Sequence, residues 1–262
     1  MNYFEAIVLG LVQGLTEFLP VSSSGHLVIA QTIMDIPTPG VFVEVALHLA
    51  TLVSVIVVYH RRLVSIAVGA ARREPEALRY IGLLLLASVP AGIVGVLFED
   101  RIEAAFDVPW VTGALLLLTG VLLWSTRILG ERNWCDRPER HHAIGMGIAQ
   151  AFAILPGISR SGSTITAGLW GNLQGDKAAE FSFLMSVIAV SGAVVLQIGE
   201  IDTSVEQVGA APLAAAFIAA LVSGVLAIRF LLWLLRKQTF YVFAYYVWIA
   251  GGLFLLTLGL RG

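Results

Sequence analysis

Apolar positions run through this chain in long blocks, and the spacing of the polar breaks between them predicts its elements. A helix needs about 20 mostly apolar residues to cross a hydrocarbon layer about 30 Å thick. Six stretches reach that length, approximately 41–59, 80–98, 110–129, 178–199, 212–235 and 241–260, and each is read as a full transmembrane helix. Two other apolar runs stop short. The run 3–19 ends at Pro20 and the run 143–155 ends at Pro156, and each leads through a Ser/Gly-rich turn into a second short apolar run. Each pair is expected to form a re-entrant hairpin, entering and leaving by one face. Irregular backbone at membrane depth survives only where protein or a wet cavity covers it, so the two breaks mark candidate sites.

The two broken segments resemble each other. Setting "GLVQGLTEFLPVSSSG" from Gly10 beside "GIAQAFAILPGISRSG" from Gly147 aligns Gly10 with Gly147, Gln13 with Gln150, Ser22 with Ser159, Ser24 with Ser161 and Gly25 with Gly162 at one offset, while the prolines fall one position out. Duplication explains a common offset better than the general likeness of Gly- and Ser-rich turns. Three crossings change sides and a re-entrant hairpin does not, so the second hairpin must enter from the opposite face. The expected fold is an all-α integral membrane protein with an inverted-topology repeat: six full transmembrane helices plus two re-entrant helical hairpins in one membrane domain, residues 1–262. Its first repeat is 1–130 and its second 143–262, each a hairpin followed by three spans.

Charge placement orients this frame. One side collects Arg61, Arg62, Arg72, Arg73, Arg79, Arg127, Arg132, Arg137, Arg140, Lys177, Arg236 and Lys237; the other has Arg101 and Arg261 among Glu99, Asp100, Glu103, Asp107, Glu200, Asp202 and Glu206. The basic side is cytoplasmic by the positive-inside rule, which puts both termini outside. The first hairpin then dips in from outside and the second rises from the cytoplasm, and their tips should meet near the midplane. Composition agrees with a membrane protein, at 58% hydrophobic and 13% charged residues against roughly a quarter charged in soluble domains. A net charge of -2 gives no basic patch for nucleic acid. The single Cys135 excludes an internal disulfide or a multi-cysteine metal site. Glu5 stands where a secretory signal would carry a basic residue, so the N-terminus is read as part of the mature protein.

Against this background a few polar residues stand out. An arginine at a helix centre costs roughly 2.5–3.5 kcal/mol on insertion scales, so Arg160 needs a role: a functional group, or a structural lock on Glu17. Around it lie Ser159, Ser161, Ser163 and Thr164, and guanidinium, hydroxyls and a helix N-terminus together can cradle phosphate. On the first hairpin Gln13 and Glu17 share one helical face, an oxygen pair suited to Mg²⁺ or Ca²⁺ and unsuited to zinc. The alternative is that they only bond the broken backbone. Ser22, Ser23 and Ser24 precede His26 within a turn. Serine commonly caps helices, but hydroxyl beside imidazole is also how a nucleophile is activated. Glu44 and Glu180 are read as structural partners of the hairpins, with His48 one turn from Glu44. The runs "RREPEALR" and "GERNWCDRPERHH" are cytoplasmic loops, with no ligand role for His141 or His142.

At these residues the sequence resembles the undecaprenyl-diphosphate phosphatase family linked to bacitracin resistance. "QGLTEFLPVSSSGH" looks like that family's glutamate-rich block and "PGISRSGSTIT" like its arginine-bearing block, and the resemblance spans essentially the whole chain, including "EFSF" from Glu180. It implies removal of one phosphate from a polyprenyl diphosphate to give the monophosphate carrier for cell-envelope glycan assembly, with a divalent cation assisting and a site open to the outer face. It puts the acidic metal or catalytic role on Glu17, with Gln13 where many members have a second glutamate. Hydroxyl and imidazole roles fall on Ser22, Ser23 and His26, and phosphate binding on Ser159, Arg160, Ser161 and Thr164. Ser24 stands for a threonine of relatives.

The expected chemistry has Ser23 attack the terminal phosphorus with His26 taking its proton, while Arg160 and a metal on Glu17 neutralise charge; attack by water is the competitor. Expected partners are a polyprenyl diphosphate lipid and the bilayer, and a homodimer is compatible with the sequence. A transporter or flippase for a phosphorylated lipid or anion is the main alternative, because inverted repeats with broken helices also describe transporters. The class of membrane phosphatases built on two histidines fails on spacing, since Thr166 stands where its second histidine is required.

Overall fold

The computed structural model describes residues 1–34, 40–129, 134–197 and 209–261. Arg132, Glu200, Asp202 and Glu206, used above to orient the chain, lie outside the described residues, as do the side chains of Glu44 and Arg261. Within the described residues the architecture is entirely helical apart from one isolated backbone bridge, Cys135 to Leu173. The helices are α1 (Tyr3–Phe18), α2 (Ser23–Met34), α3 (Gly40–Ala71), α4 (Pro75–Leu97), α5 (Glu99–Phe106), α6 (Pro109–Ser125), α7 (Arg140–Phe152), α8 (Arg160–Trp170), α9 (Gly175–Gln197), α10 (Ala210–Arg236) and α11 (Phe243–Arg261).

Local sequence explains several boundaries. Asn2 and Glu5 form a reciprocal capping box that starts α1. Pro75 and Pro109 open α4 and α6 at a position where the missing N–H costs nothing. Helix α3 continues past the expected end of its span at residue 59, because the chain bends there without stopping: Tyr59 has φ -104° and ψ 15°, and helix resumes to Ala71. At 1.5 Å per residue this helix is about 48 Å long, so its far end, with Arg61 and Arg62, extends past the apolar layer.

Among the described residues five helices are long and apolar enough to cross a membrane: Val45–Ala71, Pro75–Leu97, Pro109–Leu129, Ala210–Arg236 and Phe240–Leu260. They correspond to five of the six expected spans. The other, 178–199, is helical as α9 up to Gln197, and its last two positions lie outside the described residues. Helices α1, α2, α7 and α8 have 16, 12, 13 and 11 residues, each short of the ~20 a crossing needs.

Packing is tightest where side chains vanish. A Cβ on Gly14 of α1 would lie 2.1 Å from Ser223 Oγ and 2.3 Å from the Ala220 carbonyl oxygen of α10, and one on Gly147 of α7 would lie 2.6 Å from the Ala87 carbonyl of α4. Small residues let helix backbones approach this closely where lipid gives no hydrophobic drive. Helix α1 therefore seats on α10, and α7 on α4, while α6 pairs with α11. Phe18, Phe181 and Phe183 are buried in the main core, Phe18 edge-on to Phe183 at 5.5 Å between ring centroids. Arginine, tyrosine and carboxylate meet at one end of the bundle, where Arg62 Nε donates to Glu180 at 2.8 Å and the Tyr80 hydroxyl at 3.2 Å. Glu180 is thus a partner of α3 and α4 and not of the hairpins. It sits in the second turn of α9, at the end that the bent α3 reaches; α9 meets the hairpins instead through Ser182.

Candidate active site

Two interrupted helices deliver the site. Helix α1 stops at Phe18 because Pro20 lacks the N–H a further turn would use, and α2 begins at Ser23. Helix α7 stops at Phe152; the chain turns through Pro156 and Gly157 (φ 94°) and restarts at Arg160, with Ser159 Oγ accepting from the Gly162 amide at 3.0 Å as N-cap. The turns touch: Ser161 Oγ donates to the Leu19 carbonyl at 3.1 Å. Thr119 of α6 clasps the second turn, donating to the Gly157 carbonyl at 2.9 Å and accepting from the Ser159 amide at 3.1 Å.

At this junction Arg160 Nη2 donates to Glu17 Oε1 in a buried ion pair, with side-chain exposures of 17% and 8%. The second carboxylate oxygen, Oε2, accepts from Ser23 Oγ at 2.6 Å and from Gln13 Nε2 at 3.0 Å. His48 of α3 is close enough to Glu17 to interact with it electrostatically. One carboxylate thus gathers an amide, a hydroxyl and a guanidinium from both hairpins. Three buried polar atoms here have no hydrogen-bond partner: Arg160 Nη1, Gln13 Oε1 and Ser163 Oγ. Buried polar atoms are almost always satisfied, so this set describes a place for an oxygen-rich ligand.

His26 is placed differently from the expectation. Its Nδ1 lies 2.9 Å from the Ser22 carbonyl oxygen and its Nε2 lies 2.8 Å from the hydroxyl of Tyr246 on α11. Ser23 therefore gives its proton to a bond with Glu17, not to the imidazole. Ser22 holds φ 70°, a left-handed conformation uncommon outside glycine, and its Oγ lies 3.3 Å from Ser24 Oγ. The remaining hydroxyls are mostly engaged: Ser159 lies 3.3 Å from Ser161, and Thr164 donates to the Arg160 carbonyl and lies 2.6 Å from Ser182 Oγ. His142, expected in a loop, is instead buried in the first turn of α7, where its Nδ1 accepts from the Glu139 amide and its Nε2 lies 2.9 Å from the Gly171 carbonyl oxygen.

For a divalent cation the chain offers hard oxygens only, the Glu17 carboxylate and the unpartnered Gln13 Oε1, a donor type that fits Mg²⁺ or Ca²⁺ when phosphate and water complete the shell. Among the described residues there is no group of three or more His, Cys, Asp and Glu that could hold a metal by themselves. Sequence reasoning missed Tyr246 and Thr119, which sit on helices remote in sequence from the polar blocks and are marked by no local pattern; Ser182 lies within "EFSF", but its contact with Thr164 is not legible there.

Comparison with known proteins adds a family. Residues 6–253 match the family described as Bacitracin resistance protein BacA. The chain is 38% identical to an undecaprenyl-diphosphatase of Halothermothrix orenii, over 99% of this chain and 100% of the relative. It is 40% identical to one of Moorella thermoacetica over the full length of both, and 39% identical to one of Methanobrevibacter smithii over 96% of each.

Proposed function

The chain belongs to the bacitracin resistance protein BacA family, and on that premise we propose that it is an undecaprenyl-diphosphate phosphatase. It removes one phosphate from undecaprenyl diphosphate and returns the monophosphate carrier used in cell-envelope glycan assembly. The observation that carries this reading is the convergence of Ser23 and Arg160 on Glu17, with one guanidinium nitrogen still unpartnered beside them. A carrier or flippase needs the cation but has no use for a hydroxyl held on a carboxylate, and the relatives are named as phosphatases.

In the mechanism, Ser23 Oγ attacks the terminal phosphorus and its proton passes to Glu17 Oε2, to which it is already bonded. The bond from that phosphorus to the bridging oxygen breaks, and undecaprenyl phosphate leaves. Arg160 holds the equatorial oxygens of the transferred group, where charge accumulates, in a site shielded from water. Glu17 passes the proton taken from Ser23 to the departing undecaprenyl phosphate, then takes a proton from the water that cleaves the seryl phosphate and returns it to Ser23 Oγ, which releases inorganic phosphate and restores the hydroxyl. Ser163 and the N-terminus of α8 are placed to donate to the same oxygens. A divalent cation held by Glu17 and Gln13 would supply further neutralisation of the diphosphate.

The proposed architecture is the inverted repeat of 1–130 and 143–262, with re-entrant hairpins α1–α2 and α7–α8. The short helices support it, and so does the exchange in their packing, α1 on the second span of the other half and α7 on the second span of its own counterpart. Both termini lie outside, and the site opens to the outer face. The test is phosphate release from undecaprenyl diphosphate by purified protein, together with capture of a phosphorylated chain from substrate labelled in its terminal phosphate. Release that survives Arg160→Ala and Ser23→Ala unchanged would refute the assignment.

A further inference from the structure

Tyr246 and His26 are 220 positions apart and meet at the edge of the site. The Ser22 carbonyl facing Nδ1 can only accept, so Nδ1 carries the ring proton. In the neutral ring Nε2 is then the acceptor, and the Tyr246 hydroxyl donates to it at 2.8 Å. The two rings also lie nearly parallel, 11° apart with centroids separated by 5.6 Å. The imidazole is therefore fixed at both nitrogens, by groups from opposite ends of the chain.

The pair reaches the outward surface of the bundle. Tyr246 is 49% exposed and shares the outward stripe of α11 with Ile249, Leu253 and Leu256, whereas Glu17 is buried and Arg160 half-buried. Helix α2 meets α6 at this level through Gly25 against Leu116, a contact without charge. Of the helices packed against α2, α1 carries Tyr3, Glu5 and Glu17 and α6 carries no titratable group, while α11 carries Tyr245, Tyr246 and Arg261.

Resting on the phosphatase reading above, we infer that Tyr246 is a positioning residue for the reaction, holding His26 in one orientation through both of its protonation states at the edge where the lipid diphosphate arrives. A phenol hydroxyl suits this task because it donates to neutral Nε2 and accepts from Nε2–H once the ring has taken a proton from water. Phenylalanine keeps the ring and removes that reversible bond. Ser23, committed to Glu17, does not take that place.

The experiment measures phosphate release from undecaprenyl diphosphate in detergent micelles across pH for wild type, Tyr246→Phe, Tyr246→Leu, Tyr246→Gln and His26→Gln, with thermal midpoints alongside. Tyr246→Phe is expected to lower kcat about tenfold, the size of one hydrogen bond, with KM within about twofold because uniform binding is untouched. It should also displace the limb of the pH profile that His26→Gln removes. Tyr246→Gln, which restores a donor and acceptor without the ring, should recover kcat relative to Tyr246→Leu at equal thermal midpoint. Tyr245→Phe, a neighbour that packs on Trp124, should behave as wild type. Equal kcat, KM and pH profile for Tyr246→Phe and wild type would overturn the inference, as would equal loss in all three Tyr246 variants with an unmoved pH profile. If the wild type releases no phosphate, the phosphatase reading itself fails and this inference falls with it.

Discussion

Glu17 and Arg160, 143 positions apart, form one buried ion pair that joins the turn of the first helical hairpin to the turn of the second. Breaking a buried pair by removing one partner leaves the other charge uncompensated, at a cost of about 3–5 kcal/mol. Arg160→Ala should therefore lower the thermal midpoint in detergent as well as remove activity, with kcat falling about 10²–10³-fold or more. Arg160→Ala combined with Glu17→Ala should be less destabilised than the sum of the two single variants. Additive losses in that cycle would show that the pair is not coupled.

Ser23 donates to Glu17, and His26 bonds Ser22 and Tyr246 instead of Ser23, where the sequence leads one to expect His26 as the base. Ser23→Ala should abolish the captured phosphoprotein. His26→Ala should slow turnover while still giving the phosphoprotein, because the proton acceptor in the first step is Glu17. Loss of the covalent intermediate in His26→Ala with retention in Glu17→Gln would reverse these roles.

Gln13 supplies an amide where a carboxylate would double the local negative charge. In Gln13→Glu, two carboxylates face each other in place of the present amide bond, so the variant should be less stable in chelator. Its thermal midpoint should rise more steeply with added Mg²⁺ or Ca²⁺ than that of wild type, since a cation screens the repulsion. An identical metal response in both proteins would remove Gln13 and Glu17 from the cation site.

The close approach of α1 to α10 depends on the missing side chain at Gly14. Gly14→Val forces the helices apart and should cost about 1–3 kcal/mol or more, read as a lower thermal midpoint. Gly82→Ala, where a Cβ would meet nothing within 4 Å, should leave stability unchanged.

Glu180 serves the Arg62–Tyr80 cluster, with Arg62 41% exposed. Exposed pairs are worth about 0–1 kcal/mol, so Glu180→Gln should change stability only slightly and kcat not at all. A large loss of kcat with an unchanged thermal midpoint would return Glu180 to the hairpins.

Much of this was legible before any coordinates. The five membrane-length helices follow from apolar run length, and the two hairpin turns from Pro20 and Pro156 together with their serines. The cost of an isolated charge in lipid marks Arg160 as needing a role, with a pair to Glu17 as one of its two readings. What pattern could not supply was side-chain direction at close range. Whether the Ser23 hydroxyl turns toward carboxylate or imidazole depends on the left-handed backbone at Ser22, and the role of Tyr246 depends on how α11 lies against α2. Glu180 was assigned wrongly for a related reason: its partner Arg62 lies beyond the bend at Tyr59, and nothing in the local pattern says that helix continues through residue 59.

The seating of α1 on α10 bears on how the protein is made. Helix α1 leaves the ribosome well before its seat, so at 5–20 residues per second the Glu17 carboxylate waits on the order of ten seconds or more without Arg160 or its final neighbours. A nascent chain halted before α10 exposes the glycine face of α1 to lipid or to whatever insertion machinery shields it. Quality-control proteases should find such truncated chains easier to degrade than the finished molecule, and a split protein expressed as two halves should accumulate only when both are present.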